Sequence, residues 1–488
     1  MSKPMVSQNA LPAEHHEYLI CKHGTTELNP VPAMDDADPL NWPQKITNLA
    51  LVSFNAMMAL FTAAAIQCAF VDIAQDLNVT VQRASYLTSL FIAIIGAAPL
   101  FWRPLSHTYG RRPVFMVSLL CSLLGNAGCA VSPSYGTMGL CRALTAFFIS
   151  PACSIGSAVV SESFFQSERG RYIGVWTMMV TLGVPVAPLV FGFVANRVGY
   201  RWIYWTLAIV NGVQFILYAF LGSETRYVPD AKPVRSYPLI CRLLGLYRVD
   251  PKPLDVLSFI SPLKFALRTC VALASASYAM IFLWGVVMTT LEIPQIFPEK
   301  FGFNAEQIGL QSVGLIIGTL FGELSGGFAS DKWMLLRRSR TGSGIGAAVD
   351  PEFRLWLGYI GHLLTIVGVA VFFVQLDRAT GKYNVTPVVG AAIASTGNQI
   401  VTAVMMTYAV DCYPEDAAAV GVFVTLVRQL WGFIGPFWFP QMIENIGFEK
   451  STAVSTAMMV GVSVVPTALL QWKGRTWRGG KDVREIDE

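Results

Sequence analysis

Twelve apolar stretches of about 17–25 residues run along this chain, each long enough to cross the hydrocarbon core of a bilayer as a helix. No water reaches the backbone N–H and C=O groups inside that core, so each stretch must satisfy them within its own helix. The predicted spans lie near Ile46–Phe70, Tyr86–Trp102, Pro113–Val131, Gly139–Ser161, Tyr172–Ala195, Trp202–Gly222, Arg268–Leu291, Gln307–Ala329, Leu355–Gln375, Val385–Val410, Val420–Gln441 and Ser451–Trp472. A polar stretch at 223–267 divides them into two sets of six. The expected fold is an all-α membrane protein with twelve transmembrane helices in two pseudo-symmetric six-helix bundles, at 46–222 and 268–472. Tails at 1–45 and 473–488 and a central loop at 223–267 complete the predicted organisation. With 53% hydrophobic and only 14% charged residues, ordinary soluble domains could not easily bury such a chain.

The net charge of +4 says little until the basic residues are placed. Seven fall in the loops on one side (Arg83, Arg197, Arg201, Lys300, Arg378, Lys382 and Lys450), and Arg142 and Arg428 fall inside spans. The remaining Lys and Arg sit in the tails, the central loop and the loops of the other side, so both termini are expected to be cytoplasmic. Basic residues dispersed over short loops argue against nucleic acid as a partner. Two sequons, Asn78-Val79-Thr80 and Asn384-Val385-Thr386, fall on the predicted outer side and make Asn78 and Asn384 candidate glycosylation sites. The acidic N-terminal tail fits neither a cleavable secretory signal nor an Arg-rich transit peptide, so the first span is expected to act as the insertion signal. Most of the nine cysteines lie in spans, without a CxxC, and are expected to be reduced and buried.

The chain from Glu162 to Tyr200 and the chain from Asp411 to Phe448 follow one pattern at an offset of 247–249 residues. Each has an acidic residue at the inner end of a span (Glu162; Asp411), then a glycine opening the next span (Gly174; Gly421). A small residue and proline come in mid-span (Ala187-Pro188; Gly435-Pro436), and a glycine and an aromatic residue close it (Gly199-Tyr200; Gly447-Phe448). A duplicated six-span unit is the simplest cause, and parallel repeats of this kind place a substrate site between the halves near the bilayer midplane.

Three motifs carry a resemblance to a known family. Asp38-Pro39-x-Asn41-Trp42-Pro43 precedes the first span, and Pro104-Leu105-Ser106-x-x-Tyr109-Gly110-Arg111-Arg112-Pro113 joins spans two and three. Gly327-x-x-x-Asp331-Lys332, with Arg337 and Arg338, occupies the equivalent loop of the second half. Together they resemble the major facilitator superfamily, and within it the fungal twelve-span drug:proton antiporters. The resemblance implies that these loops gate the cytoplasmic side, with Gly110 allowing a tight turn and Arg111 and Arg112 holding headgroups or helix C-terminal carbonyls. Where the family carries an aspartate, the first half has His107, so the latch is expected to be asymmetric; that histidine either titrates with cytoplasmic pH or is a solvated loop residue. Gly183-x-x-x-Ala187-Pro188-x-x-x-Gly192 in span five is similar to the antiporter motif that the family uses against proton leak, and favours antiport.

Ionisable residues inside spans are expensive and therefore candidates for function. Arg142 in span four resembles the family's proton-coupling arginine, although Thr145 and Ala146 replace the motif's glutamine and glycine. Arg428 lies about eight residues, roughly 12 Å, into span eleven and needs a partner or water. Glu323 in span eight is the suggested partner, and the three residues form the candidate proton-coupling set. Glu162 and Asp411 are expected to cap the next element or to pair with Arg169 or Arg171, and His362 to be a hydrogen-bonded packing residue. Neutral polar and aromatic residues in spans one, seven and ten (Asn55, Gln67, Tyr278, Trp284, Asn398, Gln399 and Tyr408) are the candidate cavity. Such walls suit an amphipathic molecule that is weakly charged or has delocalised charge.

Gly342-Ser343-Gly344-Ile345-Gly346 lacks the strand and lysine of a phosphate loop and reads as a flexible inner loop. No metal-ligand spacing, cofactor motif or catalytic set is evident. The expectation is a monomeric, non-enzymatic, proton-coupled transporter exporting a hydrophobic small molecule, a xenobiotic or fungal secondary metabolite, across the plasma membrane, with the vacuolar membrane left open. Its partners would be that substrate, protons and the lipid bilayer. The alternatives are uptake of an organic cation or polyamine, which requires a cavity carboxylate, and a transport-dead nutrient sensor.

Overall fold

A computed structural model describes residues 12–24, 28–35, 38–227, 255–340, 351–379 and 383–479. Helices make up the regular structure of these residues, without a strand among them. Eleven helices are long and apolar enough to cross a membrane, and the pair Val81–Ala97 and Pro99–Tyr109, bent by 42°, supplies a twelfth crossing. In chain order the spans are Lys45–Asp76, this bent pair, Arg111–Ala130, Tyr135–Ser163, Glu168–Val198 and Arg201–Leu221 in the first half. In the second half they are Thr269–Phe301, Ala305–Gly327, Pro351–Arg378, Thr386–Cys412, Pro414–Phe437 and Phe439–Arg478.

Several spans differ from their predicted limits for identifiable reasons. The bend in span two falls at Pro99, which has no N–H to give the helix. Pro188, by contrast, sits inside an unbroken helix from Gln166 to Val198. Span seven runs ten residues past its predicted end at Leu291, to Phe301, carrying Pro294 and Pro298 within it. It also contains a π-helical turn at Leu283–Met288. The eighth helix continues from Ala305 to Arg340, well beyond the membrane-length segment that ends at Gly327. At the start of the last span, Gly447 adopts φ 77° and ψ 171° where two helices meet.

The repeat seen in the sequence has a structural counterpart at these ends. Gly199 (φ 103°) and Gly447 (φ 77°) both take a conformation that glycine adopts without the Cβ penalty, and both deliver an aromatic residue to the neighbouring helix. Tyr200 donates to the Asp76 carboxylate, which also pairs with Arg201 at 2.9 Å, while Phe448 lies 5.0 Å from the Lys300 ammonium. Burial and the bond to Asp76 raise the Tyr200 phenol above its ordinary pKa, so it remains a proton donor there.

The N-terminal tail folds back onto the bundle where span four turns into span five, with the His23 ring against Phe165. A helix at Ala13–His23, absent from the sequence-based expectation, ends where a His23 ring nitrogen stands 2.8 Å from Asn41 Oδ1. The Asp-Pro-x-Asn motif is a closed turn. Asp38 accepts the N–H groups of Ala33 and Leu40, and Asn41 donates to the carbonyls of Ala33 and Asp35.

Lipid offers no hydrophobic gain for joining helices, so close packing must hold them. Spans nine and ten do this through glycines. A Cβ on Gly368 would stand 2.3 Å from Ala394 N, and one on Gly397 would stand 2.5 Å from the Gly361 carbonyl oxygen. Gly368→Val is therefore expected to cost about 1–3 kcal/mol or more through overpacking. A fall in the thermal midpoint of the detergent-solubilised protein would register it; an unchanged midpoint would show that the seam can open.

Candidate functional site

Between the halves lies a cavity with about 880 Å³ of empty space including its mouth. From the first half, span one contributes Leu60, Ala63, Ala64 and Gln67, span two Thr88, Ile92 and Ile95, and span five Thr181, Val184 and Pro185. Span seven supplies Tyr278, Phe282, Val286, Val287 and Thr290, the π-helical turn placing part of this face. Spans eight, ten and eleven complete the wall with Leu315, Thr319, Ser395, Asn398, Gln399, Thr402, Arg428 and Gln429. The lining is mostly apolar, with a few neutral donors and acceptors and the single cation of Arg428.

Four of the seven predicted cavity residues, Gln67, Tyr278, Asn398 and Gln399, face this space. The other three do not. Asn55 is buried within the first half, Trp284 packs against Trp438 and Phe439, and Tyr408 is fully buried away from the lining. All three lie on helices apolar almost all round, where periodicity does not single out the inward face. Gln429, next to Arg428, was missed.

The intramembrane charges are arranged differently from the predicted pairing. Arg428 donates from Nη1 to the Tyr278 hydroxyl at 2.7 Å and lies 4.8 Å from the Phe282 ring, whereas Glu323 accepts from Gln399 at 3.4 Å. Arg428 and Glu323 are thus not an ion pair; each reaches a neutral group on the cavity wall. Arg142 is fully buried, donating to the carbonyls of Thr62 (3.1 Å) and Ala63 (3.2 Å) with the Phe91 ring at 4.7 Å. Those carbonyls end the first helix of span one, so the guanidinium caps a helix C-terminus inside the membrane. His362 is buried, with a ring nitrogen 3.1 Å from the Thr467 hydroxyl. Glu292 in span seven, one residue beyond the predicted span limit, is 1% exposed and its Oε1 has no hydrogen-bond partner.

At the end expected to face the cytoplasm, each half is tied by a charge cluster. Arg111, 3% exposed, pairs with Glu162 at 2.7 Å, which Arg226 approaches to 3.8 Å. Glu224 accepts the backbone N–H groups of Arg111 and Arg112 at 2.8 and 2.9 Å, an anion at the N-terminus of span three. Arg112 donates to the Ala219 carbonyl at 2.7 Å, and Gly110 turns the chain with φ 95°. The second half repeats the plan with Asp411 and Arg354 at 3.4 Å and Glu352 and Arg478 at 3.2 Å. Glu162 and Asp411 therefore choose arginines on neighbouring spans, not Arg169 or Arg171. Half-buried His107 has Arg103, Arg111 and Arg226 near it, surroundings unlike those of a solvated loop histidine. Gly327 lies on the eighth helix; the side chains of Asp331, Arg337 and Arg338 and the loop at Gly342–Gly346 lie outside the described residues.

At the opposite end the halves meet through span five. A Cβ on Gly192 would stand 2.6 Å from the Ala305 carbonyl oxygen, and one on Gly309 would stand 2.4 Å from that of Pro188. Gly183 lies equally close to Met57 of span one, while Ala187 is fully buried. Arg197 pairs with Glu306 at 3.4 Å, and Tyr86 packs on Phe437 with centroids 4.5 Å apart. The predicted glycosylation sites Asn78 and Asn384 are both exposed.

A two-bundle helical protein with a cavity between its halves and a charge cluster under each is built as a secondary transporter. The Major Facilitator Superfamily profile matches residues 52–436, and the chain belongs to that family. It is similar to an uncharacterized transporter of Schizosaccharomyces pombe, at 25% identity over 93% of this chain and 92% of the relative. It also resembles the MFS transporter cpaT of Aspergillus oryzae (26% identity; 91% of this chain, 90% of the relative) and the efflux pump radE of Floropilus chiversii (24%; 90% and 83%).

Two outcomes test this geometry. Glu162→Gln leaves the Arg111 guanidinium buried without its countercharge and is expected to destabilise by about 3–5 kcal/mol, read as a lower thermal midpoint. Gly192→Leu should hold spans five and eight apart, so that a cysteine placed in the cavity reacts with an external membrane-impermeant thiol reagent faster than in the parent. Equal labelling rates would mean that this contact does not close that end.

Proposed function

We propose that this transporter exports an amphipathic small molecule, a xenobiotic or secondary metabolite, across the plasma membrane by proton-coupled antiport. The observation that carries the reading is the mostly apolar cavity shared between the halves, in which neutral amides and hydroxyls can orient a ligand without requiring one exact shape. The name of the efflux pump radE, borne by a relative aligned over most of both chains, supports the direction. Alternating access would come from opening the span five and span eight contact on one side while the charge clusters keep each half rigid. Glu323, against Gln399 at the cavity wall, and the buried carboxyl of Glu292 are the proposed proton acceptors; Arg142 would act by holding the break in span one. The working unit is a monomer with cytoplasmic termini, glycosylated at Asn78, Asn384 or both.

Uptake of an organic cation is the weaker reading, because the lining holds no carboxylate to receive one. Accumulation of labelled amphipathic compounds in pump-depleted yeast decides between them. Expression should lower accumulation, a protonophore should abolish the difference, and Glu323→Gln should reduce the export rate at least tenfold. Raised accumulation of a cation would instead establish uptake and overturn the proposed direction.

A further inference from the structure

Arg428 is the one formally charged side chain among the residues lining the cavity, and it has no acidic partner among the described residues. The partner expected from the sequence, Glu323, is absent from the lining and accepts from Gln399 instead. The Tyr278 hydroxyl and the rings of Tyr278 and Phe282, at 5.5 and 4.8 Å, hold the guanidinium in position but carry no negative charge to neutralise it. Its buried Nε has no hydrogen-bond partner. A cation within a membrane span needs a counter-anion or water. Here the protein supplies an unused guanidinium N–H and an apolar enclosure, with no carboxylate in the lining.

We infer that the substrate is an amphipathic organic monoanion, a carboxylate on an aromatic or aliphatic body. Its charged group would sit on Arg428, and its body against Leu60, Ile92, Val184, Phe282 and Leu315. A guanidinium binds a carboxylate through two parallel N–H groups, so the match is geometric as well as electrostatic. A single cationic group also sets a limit of one, since a dianion would leave a charge unpaired in an apolar cavity. This inference deepens the proposed function and rests on the cavity being its substrate site. It adds a driving force, because an inside-negative membrane potential favours the outward movement of an anion.

Calorimetric titration of the purified full chain in lipid nanodiscs with three probes sharing one ring system, 2-naphthoate, 2-naphthamide and 2-naphthylmethylammonium, tests it. The naphthoate should bind at least tenfold more tightly than the amide, with the ammonium weakest. Arg428→Gln should bring naphthoate down to the level of the amide, with folding of the variant checked independently by a single monodisperse peak in size-exclusion chromatography. Arg428→Lys should keep the order of the probes with a smaller gap. Equal affinities for the three in the parent, or a naphthoate preference that survives Arg428→Gln, would remove the anion and leave the transporter reading standing. Absence of binding by all three would overturn the cavity as a ligand site, and this inference with it.

Discussion

Every polar group of the backbone must find a partner where there is no water, and in span one that demand is met at a helix that stops inside the membrane. Its first helix ends at Ala64, and a 3₁₀ turn at Gln67–Ala69 precedes the next helix. Four carbonyls at such a break lack their usual partners. Arg142 from span four reaches two of them, at Thr62 and Ala63, and brings the charge that a helix C-terminus favours. The break in turn sets Gln67 into the cavity. A residue whose sequence context suggests proton traffic is thus, first, the clamp that makes an interrupted span tolerable.

The same constraint divides the labour between the two ends. At the end of the bundle where span three begins, ion pairs join the third, fourth and sixth spans of each half, and the pseudo-symmetric Glu162–Arg111 and Asp411–Arg354 pairs occupy matching places. At the other end the contact between halves depends on missing side chains, Gly192 and Gly309, set against backbone carbonyls. Buried ion pairs within a half, and between halves closely fitted small-residue surfaces with the solvent-exposed Arg197–Glu306 pair, suit two bodies that separate and return. Small-residue contacts lose only dispersion when they open, whereas parting a buried ion pair strands a charge.

Legibility in the sequence varied with the kind of signal. The apolar stretches, the central polar break and the glycine-aromatic exits at Gly199 and Gly447 were readable, because length, hydropathy and glycine each have a direct physical meaning. Gln67, Tyr278, Asn398 and Gln399 were recognised as polar or aromatic residues that a span would place at a cavity. Asn55, Trp284 and Tyr408 met the same criterion but face packed neighbours, since a helix apolar on all sides does not reveal which side lines a cavity. Glu292 was passed over because it lies one residue beyond the predicted end of span seven at Leu291. Glu224 and Arg226, assigned to the central loop, instead close the first charge cluster.

By itself the sequence determined that the chain crosses a membrane about twelve times in two related halves, because the bilayer imposes a length and a hydropathy on each crossing that no side-chain contact can waive. It also placed charges at 142, 323 and 428 within spans, where each is costly. Only the tertiary structure decided what those charges meet: a helix end for Arg142, an amide for Glu323, and a phenol with an otherwise uncharged cavity for Arg428. Partner choice depends on helix rotation and on sub-ångström fit between distant segments, and neither leaves a periodic trace in a chain that is apolar almost everywhere.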